Sequence, residues 1–217
     1  MTRKSPAQAW LQLKIGNQRF VDGKPAHPRQ DIEHRDSLKN SQNPSVALFG
    51  CSDSRLAAEI IFDKGLGDLF VVRNAGQIIS DSVVGSLEYA VDVLGVSLIL
   101  VLGHDHCGAV QGAIDLLNPE SRSFPPHVTA MVDKITPAIR RVAGSQGLFA
   151  PDGSIDAERV DALDVGREHL RDTISELIEA SELIATQIAE GNLAVVGANY
   201  RLTEGRVSPD VVVGVIE

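Results

Sequence analysis

The chain reads as an α/β protein with a central, mostly parallel β-sheet and flanking helices. Three observations predict it. Short apolar runs at Val46-Ala47-Leu48-Phe49, Leu69-Phe70-Val71-Val72 and Leu98 to Leu102 each stop at a polar or glycine-containing turn, as buried strands do. Amphipathic segments of helical period lie between them. The strand, helix, strand, helix, strand order is that of parallel crossovers, which place their connecting helices on the sheet faces.

At the start, Ala9, Trp10, Leu13, Phe20 and Val21 recur at roughly helical spacing, with Lys14, Asn17, Gln18 and Arg19 opposite. This is an amphipathic helix over residues 6–21, packing either on its own core or, as an arm, on a partner subunit. Residues 30–44 are polar and read as helix then loop, a lead-in that ends at Pro44 before the first strand. A short helix over 56–63 is closed by Gly65 and Gly67, and Asp81 to Val93 is a helix with Val84, Leu87, Ala90, Val91 and Leu94 on one face. Ala109 to Leu117 starts a helix whose dipole favours an anion at its N-terminus. Pro119, Pro125 and Pro126 mark a break, and a helix from about His127 to Ala143 restarts near Pro137. Gly144 to Asp156 is a loop, and Ala157 to Ala189 is helical with interruptions at Gly166 and Ser181. Leu193 to Tyr200 is a strand, and Val211 to Ile216 an edge strand.

The 217 residues fit one domain, and 43% hydrophobic residues suffice for its core. Twenty Lys and Arg against 29 Asp and Glu give a net charge of -9, which leaves no basic excess for a nucleic-acid backbone. The longest apolar stretch, Leu94 to Leu102, is too short for a bilayer, and Met1-Thr2-Arg3-Lys4-Ser5 lacks the apolar core of a secretion signal, so a cytoplasmic protein is expected. With two cysteines only, each beside polar ligand-type residues, metal binding outweighs a disulfide.

Those cysteines sit at two strand tips. The first run delivers Gly50-Cys51-Ser52-Asp53-Ser54-Arg55 and the third delivers His104-Asp105-His106-Cys107-Gly108. Cys51, His104 and Cys107 make a Cys2His set suited to a borderline-soft ion such as Zn2+, and three protein ligands leave a coordination position open, as a catalytic zinc requires. Asp53 is either a fourth ligand that closes the site or an acceptor held by Arg55; losing the arginine contact would let the carboxylate take the position of water. Two thiolates cancel the ion's formal charge, so activity is expected on the alkaline side. Inert buried cysteines are the bland alternative. A phosphatase-type loop fits poorly, because Ala113 stands where a phosphate-binding arginine is needed. His106 could replace His104 as ligand or carry a proton, while His27, His34, His127 and His169 are expected at the surface, and Gly76, Gly85 and Gly95 at packing or turn positions.

Taken together, Cys51-Ser52-Asp53-Ser54-Arg55, Val72-Arg73-Asn74-Ala75-Gly76, Gly85 to Val91, and Gly103-His104-x-x-Cys107-Gly108-Ala109 resemble the β-class carbonic anhydrases, in their plant-like branch. Gly16 to Phe20 and Val196-Gly197-Ala198-x-Tyr200 extend the match over nearly the whole chain, most weakly between Asn118 and Ala157. The resemblance implies zinc on Cys51, His104 and Cys107, an orienting Asp53 and Arg55 dyad, and reversible hydration of CO2 to bicarbonate through zinc-bound hydroxide. It implies a CO2 pocket at Gln42, Phe70, Ala75, Tyr89 and Gly108, lined largely by the neighbouring subunit. It further implies a homodimer or dimer of dimers in which the N-terminal helix embraces the partner. Leu48 stands where the branch with a regulatory bicarbonate site has Trp, although Arg73 is present; Gln77 replaces a common Asn, and Asp105 and His106 are more charged than usual. CS2 or COS hydrolysis on the same scaffold and a non-catalytic zinc module are the alternatives.

Overall fold

The computed structural model describes residues 4–118, 120–121 and 123–216. Met1 to Arg3 and Pro119, read above from the sequence, lie outside the described residues.

Strands β1 (Val46–Cys51), β2 (Leu69–Asn74), β3 (Leu98–His104) and β4 (Ala194–Arg201) run parallel, and β5 (Arg206–Val213) returns antiparallel along β4. The sheet order is β2-β1-β3-β4-β5. Every residue of β1 and β3 is buried, which is why both read as unbroken apolar runs. Alternate side chains feed two cores. Val46, Leu48, Leu98 and Leu100 pack under α1 (Pro6–Val21), α5 (Gly108–Asp115), α6 (Pro126–Val132) and α7 (Thr136–Gln146) through residues such as Leu13, Ile114 and Ile139. Ala47, Phe49, Ile99 and Val101 pack under α4 (Asp81–Asp92), α8 (Ala162–Ala180) and α9 (Glu182–Ala189) through Leu87, Ile174 and Ile184. Two short helices, α2 (Ile32–Ser37) and α3 (Ala58–Ile61), complete the chain's connections.

Within the chain, one face of α1 packs on the chain's own core. Its start is set by a capping box between Ser5 and Gln8, with Pro6 in the first turn. Ala9, Trp10, Leu13 and Gly16 are buried. Asn17 donates to the carbonyls of Ile61 (3.1 Å) and Gly205 (2.8 Å) and accepts from the Val207 amide (2.9 Å), tying the helix to α3 and β5.

Several boundaries differ from the sequence reading for identifiable reasons. The helix expected from Ala157 begins at Ala162, because Asp161 caps it by accepting from the Leu163 amide at 2.7 Å. It then runs through Gly166 without interruption: the buried face of Val165, Leu170, Ile174 and Leu177 outweighs the ~1 kcal/mol that a helical glycine costs. Ser181 does end it, capping α9 at the Ile184 amide and donating to Glu88. The restart near Pro137 is also present, after a single 3-10 turn at Asp133–Ile135. The last strand begins at Arg206 rather than Val211; Pro209 and its polar neighbours masked it, and both are tolerated at a sheet edge. Among the described residues, no helix is long and apolar enough to cross a membrane.

Candidate metal centre

From β1 the chain crosses to one side to form β2 and then returns to the other side of β1 as β3. Such a reversal opens a crevice between the C-terminal ends of the two strands. Cys51 is the last residue of β1 and His104 the last of β3; Cys107 immediately precedes α5. Their ligand atoms all lie within 4.8 Å of one another, and all three residues are buried.

The donors are prepared for a cation. His104 donates from Nδ1 to the Asp105 carbonyl at 2.8 Å, leaving the Nε2 lone pair free; Nε2 is buried with no hydrogen-bond partner. A buried nitrogen in that state is costly unless something ligates it. The Cys51 thiol is brought down to about 4, chiefly by the hydrogen bond from Cys107 and, against the cost of burial, by His104 and the Gly76 amide. Cys107 is pushed up, first by that same bond and then by burial. Ionising one sulfur thus opposes ionising the other, and two thiolates need a positive ion between them. Two sulfurs and an imidazole nitrogen fit zinc.

Asp53 stands outside this cluster, on Arg55. Its Oδ1 accepts from the Arg55 Nε (2.9 Å) and backbone amide (3.0 Å), and its Oδ2 from the terminal guanidinium nitrogen (2.6 Å). This bidentate pairing holds the carboxyl well below the usual carboxylate range. Arg55 also donates to the His106 carbonyl at 3.2 Å, linking the two strand tips. His106 is exposed with φ 51°, a left-handed conformation. Arg73 donates to the carbonyls of Cys51 (2.9 Å) and Asp53 (2.7 Å), fixing the segment from below.

The expected pocket residues are not all brought here. Ala75 precedes Gly76, whose amide reaches the Cys51 sulfur, and Gly108 follows Cys107; both are exposed. Phe70 pairs with Ala47, four residues before Cys51, so it lies roughly 13 Å down the strand from the metal end. Its ring sits 6.1 Å from that of Tyr89, which is 45% exposed, and Gln42 is exposed in the lead-in to β1. One chain thus holds the ligands and the dyad together, while Phe70, partly buried against the core, and the exposed Tyr89 and Gln42 lie apart from them.

Two contributors escaped the sequence reading. The Gly76 amide donates to the Cys51 sulfur at 3.3 Å. His169, expected at the surface, is 4% exposed on α8 and donates from Nε2 to the Gly76 carbonyl at 2.8 Å. Its position four residues after Val165 and beside Leu170 on an apolar helix face was the available signal.

Residues 46–207 match the family model described as carbonic anhydrase. Carbonic anhydrase 2 of Mycobacterium tuberculosis is 46% identical over 206 residues, which cover 95% of this chain and 93% of that protein. The β-carbonic anhydrase of Coccomyxa in complex with acetazolamide superposes with a TM-score of 0.67 at 25% identity, over 91% of this chain and 85% of that one. A tetrameric β-carbonic anhydrase of Sordaria macrospora shares the fold at a TM-score of 0.69 and 24% identity, over 90% and 93% of the two chains. With the motifs of both strand tips inside the matched region, the chain belongs to the β-carbonic anhydrase family.

Proposed function

We propose that this chain binds Zn2+ through Cys51, His104 and Cys107 and catalyses the reversible hydration of CO2 to bicarbonate and a proton. The observation that carries the reading is the convergence of two buried thiols and an unpartnered His104 Nε2 at the sheet's switch point, with Asp53 held off that cluster by Arg55. When bound, zinc supplies the Lewis acidity that makes water a nucleophile near neutral pH.

The protein's own groups do the rest. Arg55 keeps Asp53 ionised, so the carboxylate only accepts hydrogen bonds. Oδ2 takes a single bond from Arg55 and retains a lone pair. There it accepts a hydrogen bond from the attacking oxygen, without taking its proton, and so turns an oxygen lone pair toward the CO2 carbon. Arg73 and Arg55 hold this geometry through three backbone carbonyls. Gly108 opens α5, and nothing lies within 4 Å of where its side chain would be, which leaves room for the product anion beside the helix N-terminus. His106, exposed and adjacent to Cys107, would pass the released proton to buffer.

CO2 also needs an apolar wall. Phe70 and Tyr89, with Gln42, provide one from a second copy of the chain, since a single copy keeps them away from its own cluster. The working enzyme is then a homodimer or a dimer of dimers. Two free cysteines used as ligands suit a reducing compartment, the cytoplasm.

The test is stopped-flow CO2 hydration on zinc-loaded protein from about pH 6.5 to 9, which brackets the ionisation of a zinc-activated water. A rate climbing toward alkaline pH supports the reading. No CO2 turnover at any pH, with one zinc per chain, overturns it, and COS and CS2 become the substrates to try.

A further inference from the structure

Gly76 is pinned from both sides. Its amide donates to the Cys51 sulfur at 3.3 Å and its carbonyl accepts from His169 Nε2 at 2.8 Å. Its φ is +80°, and a side chain there would meet the Ala109 Cβ at 2.7 Å, so the backbone passes close to the start of α5. Gln77 follows with φ 44°, a conformation disfavoured for residues other than glycine. Asn74 closes the turn by exchanging two hydrogen bonds with the Ile78 backbone, at 2.7 and 2.8 Å. A turn of this kind persists only where its surroundings over-determine it.

The surroundings include a helix from the far end of the sequence. His169, on α8, donates to the Gly76 carbonyl at 2.8 Å, while Thr173, one turn on, donates to the His169 carbonyl at 2.8 Å and lies 3.5 Å from the Gln77 carbonyl. Both are buried on a face otherwise made of Val165, Leu170, Ile174 and Leu177. A neutral imidazole there leaves Nδ1 buried with no partner. An apolar residue would avoid that cost; the Nε2 bond to Gly76 is what the histidine provides.

We propose that His169 is a positioning residue for the metal centre. By holding the Gly76 carbonyl, it keeps the Gly76 amide aimed at the Cys51 sulfur. An N–H bond to a ligating sulfur fixes that sulfur's orientation and tempers the charge it would give a bound ion, and outer contacts of this kind set metal retention. This rests on the zinc reading above. The chain of contacts runs α8 to turn to sulfur, and His169 itself touches neither metal ligand nor substrate.

The test compares His169→Gln, whose amide nitrogen occupies roughly the place of Nε2, with His169→Asn, whose amide stops at the level of Nδ1. Zinc release from loaded protein into excess chelator is followed at pH 7, with the pH profile of CO2 hydration and a thermal melt alongside. His169→Asn is expected to release zinc on the order of 10- to 100-fold faster than wild type and to move the activity midpoint toward alkaline pH. His169→Gln is expected to stay near wild type in both. Equal release from the two variants and wild type overturns the proposal, as does equal loss in both variants that tracks their melting temperatures. A wild-type protein that retains no zinc counts instead against the zinc reading itself.

Discussion

Gly16→Ala tests the docking of the first helix on its own chain, because a docked and an undocked helix predict opposite signs. On an exposed helix the change stabilises by about 0.8–1 kcal/mol. In this structure the added Cβ falls 1.8 Å from the Phe62 carbonyl oxygen and 2.7 Å from its carbon. That is roughly 1.5 Å inside ordinary contact, and both clashing groups belong to the backbone, so no rotamer relieves it. The helix must lift. The next residue, Asn17, makes three bonds that depend on the present approach, to Ile61, Gly205 and Val207. At about 1 kcal/mol net each, their loss costs about 3 kcal/mol, and subtracting the helix gain leaves about 2 kcal/mol of destabilisation. For a chain of this size that lowers the melting temperature by about 4–8 °C. The assay is convenient: Trp10 is the only tryptophan, lies on this helix and is 4% exposed, so its fluorescence reports undocking directly. A melting temperature unchanged or raised, with unaltered Trp10 emission, would refute the packing of α1 on α3 and β5.

Arg55→Ala should reduce kcat/KM for CO2 hydration on the order of 10- to 100-fold at alkaline pH, with little change in melting, since the exposed guanidinium acts on Asp53 rather than on the core; full activity by stopped flow would remove the dyad from the mechanism. Stripping the metal should leave the Cys51 and Cys107 pair with one sulfur ionised at pH 6, so that an alkylating reagent modifies one cysteine per chain first and the second only as pH rises; a pair that is inert at pH 6 contradicts the contact between the two sulfurs. Burial lowers the His169 pKa, so the unfolded chain binds the extra proton; its contribution to stability is complete above the unfolded value of about 6.5 and is lost as pH falls below it toward the folded value. Urea midpoints for wild type should therefore drop more between pH 7.5 and 5.5 than those for His169→Gln, and parallel slopes would show that the histidine is not buried neutral.

What could be read in the sequence was what local pattern encodes. Strands buried on both faces give unbroken apolar runs, so β1 and β3 were visible; β2, partly buried at the sheet edge, was visible from its short apolar run alone, and the ligands Cys51 and His104 close β1 and β3. The Asp53 and Arg55 pairing was visible too, because two residues of separation permit it without long-range help. His169 was hidden for the opposite reason: its partner, Gly76, is 93 residues away, and only the docking of α8 brings them together. Gly166 misled because a local propensity of about 1 kcal/mol was set against a tertiary face that the sequence window does not weigh. Strand β5 was displaced because Arg206, Ser208 and Pro209 do not look like a strand, although an edge that answers only to β4 accepts them.

Charge explains why the segment from Cys51 to Arg55 has this composition. Two thiolates with a divalent ion sum to zero, a state that a buried crevice tolerates. Adding Asp53 as a further ligand would leave one uncompensated negative charge among groups that are all buried. Arg55 offers the carboxylate a neutral alternative within two residues, with two side-chain bonds in fork geometry, while remaining half exposed so that its own charge stays solvated. In the proposed mechanism this pairing keeps the Asp53 carboxylate ionised and off the metal position, where it is free to orient the attacking water.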